Sequence, residues 1–192
     1  MLLLKTRIMK LMTFALLGLS MLLVNPKSEE TSVGSPESSE ALKIDDNADI
    51  SMIRAEYGRI NKLALKVERY KYETTDCVEG GEISYHLLNG QILKITETGA
   101  MNDTVWKKEY YFKNGKMFFC LESLDWGPGA GPTITTVYRF YIKNGQSIRE
   151  MADQKIEELK DKAAENILIA SKLLKVRATK NFKSVYCDEP IN

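Results

Sequence analysis

The sequence predicts an α+β fold, an antiparallel meander of about six strands with an amphipathic helix on its N-terminal side and another on its C-terminal side. Three observations carry this. The dipeptide Asn-Gly recurs at Asn89-Gly90, Asn114-Gly115 and Asn144-Gly145, each time between strand-like runs within residues 82–151. Before that region Ile53, Tyr57, Ile60, Ala64 and Val67 follow three- and four-residue steps, and after it so do Ile156, Leu159, Ala163, Ile167, Ala170 and Leu174. Asn-Gly suits two-residue hairpin turns, because Gly adopts positive φ freely and Asn tolerates it. The helical spacing lines one face of each flanking segment with apolar side chains.

The chain has 192 residues, enough for a leader, a linker and one domain. In residues 1–24, Lys5, Arg7 and Lys10 precede an uncharged apolar run from Leu11 to Val24, the order of a signal peptide. That run is shorter than the ~18 residues of a membrane-spanning helix, so cleavage, no remaining membrane span, and a periplasmic or extracellular destination are expected. Residues 25–46, rich in Ser and Glu with few large apolar side chains, read as a disordered linker. Asp45, Asn47, Asp49, Ser51 and Glu56 imitate the ligand spacing of a calcium loop, but Ile50 stands where such a loop needs Gly. A helix N-cap is the simpler reading there, and residues 47–192 then form the single domain.

Within that domain the first helix is expected to run to about Tyr70, and Thr74 to Gly81 leads into the first strand. Counting outward from each turn puts Leu87 opposite Ile92, Tyr110 opposite Phe119, Phe112 opposite Met117 and Phe140 opposite Arg149 on one side of the sheet. On the other side His86 meets Leu93, Tyr111 meets Phe118 and Tyr141 meets Ile148. If both helices cover the first side, Tyr111, Phe118, Tyr141 and Ile148 form an exposed aromatic row rimmed by Lys113, Lys116 and Lys143, which is the candidate binding surface. A helix on each face would hide that row and leave it as sheet stabilisation. Trp126 sits in a Gly- and Pro-rich connection and is a further binding candidate, unless it folds back over the end of the sheet. The second helix is expected over about Asp153 to Leu174, and Asn181 to Tyr186 as a short strand.

Lys and Arg number 27 against 26 Asp and Glu, so no net field points to nucleic acid. The single histidine, His86, rules out a Ser-His-Asp triad elsewhere and a His-rich zinc site. No catalytic or metal-binding residues and no cofactor are expected. Cys77, Cys120 and Cys187 are too far apart for a C-x-x-C motif. Cys77 and Cys187 lie at element boundaries where backbone can adjust, whereas Cys120 is inside a strand. A Cys77 to Cys187 disulfide is therefore expected, contributing roughly 4 to 5 kcal/mol by loop-closure entropy, with three reduced thiols as the alternative.

The pattern Tyr85-x-Leu87-x-Asn89-Gly90, Tyr110-x-Phe112-x-Asn114-Gly115, Phe140-x-Ile142-x-Asn144-Gly145 resembles the repeats of MORN-like and YwqK-type antitoxin-like bacterial proteins, and of exported proteins of similar layout. The resemblance implies hairpin architecture and a binding or scaffold role. Together with the export signal, this makes an exported non-catalytic module for an unknown protein or small-molecule partner the expected function. An envelope hydrolase or enzyme inhibitor on the same sheet is the alternative.

Overall fold

The computed structural model describes residues 37–74, 78–127 and 131–187, all within the compact unit that spans residues 36–192. The expected signal peptide, residues 25–36 of the expected linker, and Cys77 lie outside the described residues, whereas residues 37–46 of that linker and the expected N-cap at Asn47, Asp49 or Ser51 lie inside the first helix, which corrects both expectations. Helix α1 (Glu37–Ile60) is followed by strands β1 (Lys66–Thr74), β2 (Val78–Leu88), β3 (Gln91–Met101), β4 (Thr104–Lys113), β5 (Lys116–Trp126), β6 (Ile134–Lys143), β7 (Gln146–Ala152) and β8 (Lys155–Ile156). Helices α2 (Lys160–Val176) and α3 (Lys183–Tyr186) complete the order. The fold is α+β. Among the described residues eight strands form one antiparallel sheet in sequence order, two more than the six expected.

Asn-Gly joins β2 to β3, β4 to β5 and β6 to β7, with positive φ at both turn residues in each case, for instance 51° at Asn114 and 73° at Gly115. This is the two-residue turn whose twist matches that of the strands. Each hairpin then carries a β-bulge at the same place. Pairing holds for Leu87 with Ile92, Phe112 with Met117 and Ile142 with Ser147, and then Leu93, Phe118 and Ile148 are each skipped. An extra residue on one strand reverses which side every later residue faces. Tyr110 consequently pairs with Cys120 rather than Phe119, Phe140 with Glu150 rather than Arg149, and His86 with Lys94 rather than Leu93.

Both faces of the sheet are covered. Ile50, Ile53 and Ile60 of α1 pack on Leu93, Tyr111, Phe119 and Tyr141. Ala163, Ala170 and Leu173 of α2, with Phe182 and Val185, pack on Ile83, Tyr85, Ile95, Tyr110, Phe112, Phe140 and Ile142. Of the two arrangements that the sequence leaves open, a helix on each face is the one adopted.

The two added strands occupy stretches whose spacing suggests helix. Leu63 hydrogen-bonds back only three residues, to Ile60, as the α1 turn tightens and ends. Beyond it Arg69, Lys71 and Glu73 are exposed while Tyr70 and Tyr72 turn inward, a period of two that makes β1 a strand. Helix α2 starts later than its apolar spacing suggested, because Ile156 belongs to β8 and is 69% exposed. Its first turn is anchored from the sheet: Leu159 donates its backbone N–H to the carboxylate of Glu150, a buried residue of β7. The tail after α2 forms a helical turn rather than a strand, since Phe182 and Val185, three residues apart, both bury against the sheet.

Candidate ligand cleft

On the face covered by α2 and α3, the observed register aligns two neighbouring cross-strand rows. Tyr70, Ile83, Glu97, Lys108, Glu122 and Tyr138 succeed one another from β1 to β6. One step along each strand the row is Tyr72, Gly81, Gly99, Trp106, Leu124 and Thr136. The first row holds charged side chains where a core is usually apolar, with Glu97 only 1% and Glu122 only 2% exposed. Buried charge is costly unless it is hydrogen-bonded or paired.

The two carboxylates meet that requirement differently. Glu122 accepts from Lys162 Nζ at 2.8 Å and from Asn166 Nδ2 at 3.2 Å, and Lys108 Nζ lies 3.9 Å away. The Lys162 ammonium also stands 4.5 Å from the centre of the Tyr138 ring. Glu97 accepts from Trp106 Nε1–H at 2.9 Å and from the Tyr110 hydroxyl at 2.8 Å, both neutral donors. Among the described residues no cation forms an ion pair with Glu97. Its negative charge adds to burial in raising the Tyr110, Tyr72 and Tyr186 hydroxyls above the usual phenol value, Tyr72 to about 12.

Between these rows and α2 lies a cleft of about 390 Å³. Its floor contains Glu97, Trp106, Lys108 and Glu122, and Lys162 reaches in from α2. Met101 and Leu168 at its rim are 47% and 56% exposed, and Tyr186 of α3 closes one end. The Trp106 indole lies directly on the Gly99 backbone, where an added Cβ would come within 2.3 Å of the ring. Gly at this position therefore sets how deep the indole sits and lets its N–H reach Glu97. The Tyr72 and Tyr186 rings stack with centroids 5.1 Å apart, and their buried hydroxyls lie beside each other, that of Tyr186 also beside Glu97, without a hydrogen bond of normal geometry.

The residues singled out from sequence fall elsewhere. Tyr111 and Tyr141 are 0% and 3% exposed under α1, and Phe118 and Ile148 are half-buried in the same cluster. The exposed aromatic row is thus corrected to the interior of the α1 layer, where bulge residues Phe118 and Ile148 help fill the gap beneath the helix. Trp126 stands apart, 44% exposed at the end of β5 and paired with Ile134. Cys187 is disulfide-bonded and Cys120 is a buried free thiol, raised in pKa by burial and by the charge of Glu122. Such a thiol is a poor nucleophile.

His86 is half-buried with Nε2 3.1 Å from Thr96 Oγ1, and burial lowers its pKa. Nearby, burial alone would raise Glu109, but hydrogen bonds from Tyr111 and Lys94 hold it below the ordinary carboxylate value. Both shifts have the same consequence for stability. As pH falls below about 6.5 the unfolded chain protonates His86 before the folded one does, and stability drops. The Glu109 contribution is present above the unfolded carboxylate value of about 4.3 and is lost as pH falls through its lower folded value. Thermal melts followed by circular dichroism should show a decline from pH 7 to 5 that His86→Gln removes, and a steeper decline below it that the variant keeps. An unchanged profile in the variant would exclude His86 as the upper titrating group.

Among the described residues no group of three or more His, Cys, Asp or Glu could hold a metal ion, and no helix is long and apolar enough to cross a membrane. The cleft escaped sequence reading because simple counting from the Asn-Gly turns places Glu97 and Glu122 on the opposite face. A signal was nevertheless present in the alternation Glu97-x-Gly99 and Trp106-x-Lys108-x-Tyr110, in which a strand sets Gly and Trp beside charge. No family model, curated protein or solved structure matches this chain.

Proposed function

We propose that this chain is an exported, non-catalytic binding module that takes a small-molecule ligand in the cleft between the sheet and α2. The observation that carries this reading is the cleft itself, which combines an exposed apolar rim with a fixed polar floor, the usual make-up of a ligand site. The floor groups are held by one another rather than poised for proton transfer. The disulfide at Cys187 fits an oxidising compartment, in keeping with the cation-then-apolar order of the N-terminus. The hairpin repeat, which resembles MORN-like and YwqK-type proteins, supports a scaffold for binding.

A hydrolase is the second reading, favoured by one observation. Glu97 and Glu122 stand on the same face with only β4 between them and both line the cleft, and a pair of carboxylates flanking a cleft is the arrangement that glycoside hydrolysis uses. A thermal-shift screen of small molecules, run beside a hydrolase panel, separates the readings. The binding reading expects compounds that raise the melting temperature of the native chain but not of Leu168→Arg, whose exposed rim position blocks the cleft at little structural cost. Protection that survives Leu168→Arg would remove the cleft from consideration. Turnover abolished by Glu97→Gln would establish the hydrolase instead.

A further inference from the structure

Resting on the binding reading above, we propose that the cleft is selective for an organic monocation, an ammonium on an apolar or aromatic body, with its charge directed at Glu97 and the Tyr186 hydroxyl. Charge complementarity is the first support. The cleft is lined by the carboxylates of Glu97, Glu122 and Glu165 against the ammoniums of Lys108 and Lys162, three negative charges to two positive. Both lysines are engaged by Glu122, at 2.8 and 3.9 Å. That leaves Glu97 and Glu165 without a cation among the lining residues; Glu165 is exposed to solvent, whereas Glu97 is nearly fully buried and has only neutral donors.

The second support is the inventory of acceptors. A carboxylate has about four lone-pair positions, and Glu97 uses one on each oxygen, for Trp106 and for Tyr110. The Tyr186 hydroxyl lines the same end of the cleft, buried beside Glu97 and the Tyr72 hydroxyl, and makes no hydrogen bond of normal geometry. An ammonium brings up to three donors and no acceptor, the complement of this set. A carboxylate ligand would bring only acceptors and a second negative charge. A metal ion is the less suitable cation, since no cluster of three or more ligating side chains is present among the described residues. The rim of Met101, Leu124 and Leu168 beside the Trp106 ring calls for an apolar body behind the charge.

The test is isothermal titration calorimetry on the full chain with three probes of similar shape, 2-phenylethylammonium, 2-phenylethanol and 3-phenylpropanoate. The amine is expected to bind at least tenfold more tightly than the alcohol, with the carboxylate weakest. Glu97→Gln should bring the amine down to the level of the alcohol and leave alcohol binding unchanged. Should that variant fail to fold, Tyr186→Phe gives the same comparison with the fold retained, and undiminished amine selectivity there overturns the proposal. Equal binding of amine and alcohol by the native chain overturns the cation preference while the binding module stands. Absence of binding by all three overturns the monocation proposal, while the binding module itself stands or falls on the thermal-shift screen.

Discussion

Replacing Glu122 by Ala is expected to destabilise the protein by about 3 to 5 kcal/mol, the usual cost of removing one member of a buried ion pair. The change leaves Lys108, 8% exposed, without its anion and releases Lys162 from its 2.8 Å contact. It also strips Asn166 of the acceptor for its Nδ2, and Asn166 Oδ1 is already buried without a partner. Most of the loss is desolvation of the groups left behind, so Glu122→Gln, which can still accept from Asn166, should cost less than Ala. Urea denaturation monitored by tyrosine and tryptophan fluorescence measures both. A loss under about 1 kcal/mol for the Ala variant would mean that the lysines find water or other partners, and that the Glu122 cluster does not tie α2 to the sheet.

Tyr111→Ala should be comparably severe, about 3 to 5 kcal/mol, because it empties an aromatic site at the centre of the α1 layer. The Tyr111 ring meets Tyr57 edge-on at 4.9 Å and lies 5.9 Å from Phe119, and its hydroxyl donates to Glu109 at 2.5 Å. Those contacts hold α1 to the sheet, so hydrogen exchange in Ile50–Ile60 should accelerate in the variant more than exchange in α2. An exposed aromatic row would behave otherwise. Its truncation would leave the melting temperature nearly unchanged, and that outcome would return Tyr111 to the surface.

The contrast between these two clusters shows which parts of the fold local sequence can encode. Asn-Gly turns are specified by their own two residues, because positive φ at both is a local demand, and all three are legible. The bulges at Leu93, Phe118 and Ile148 have no comparable local marker. They arise where a bulky apolar residue is accommodated beneath α1, a tertiary effect, and each reverses the facing of everything beyond it. This is why counting from the turn gives the Phe112–Met117 pair but puts Phe119 on the wrong side. Residues 66–74 were ambiguous for a different reason: Val67 fits a helical continuation of Ile60 as readily as it fits β1, and nine residues are too few to separate the periods. The cleft was the least legible feature. Glu97, Lys108 and Glu122 are remote in sequence and become neighbours only through the corrected register, and charged residues on strands ordinarily signal a solvent face.

The chain has two tryptophans, and they report separately on the cleft between the sheet and α2 and on the far end of β5. Trp106 lines that cleft and donates its indole N–H to Glu97, whereas Trp126 lies at the exposed end of β5. In a 1H-15N NMR titration with 2-phenylethylammonium, the Trp106 indole signal should shift progressively to saturation together with the backbone amides of Leu124 and Leu168, while the Trp126 indole stays in place. Movement of the Trp126 signal with Trp106 unmoved, or shifts confined to the α1 layer, would place the ligand outside the cleft.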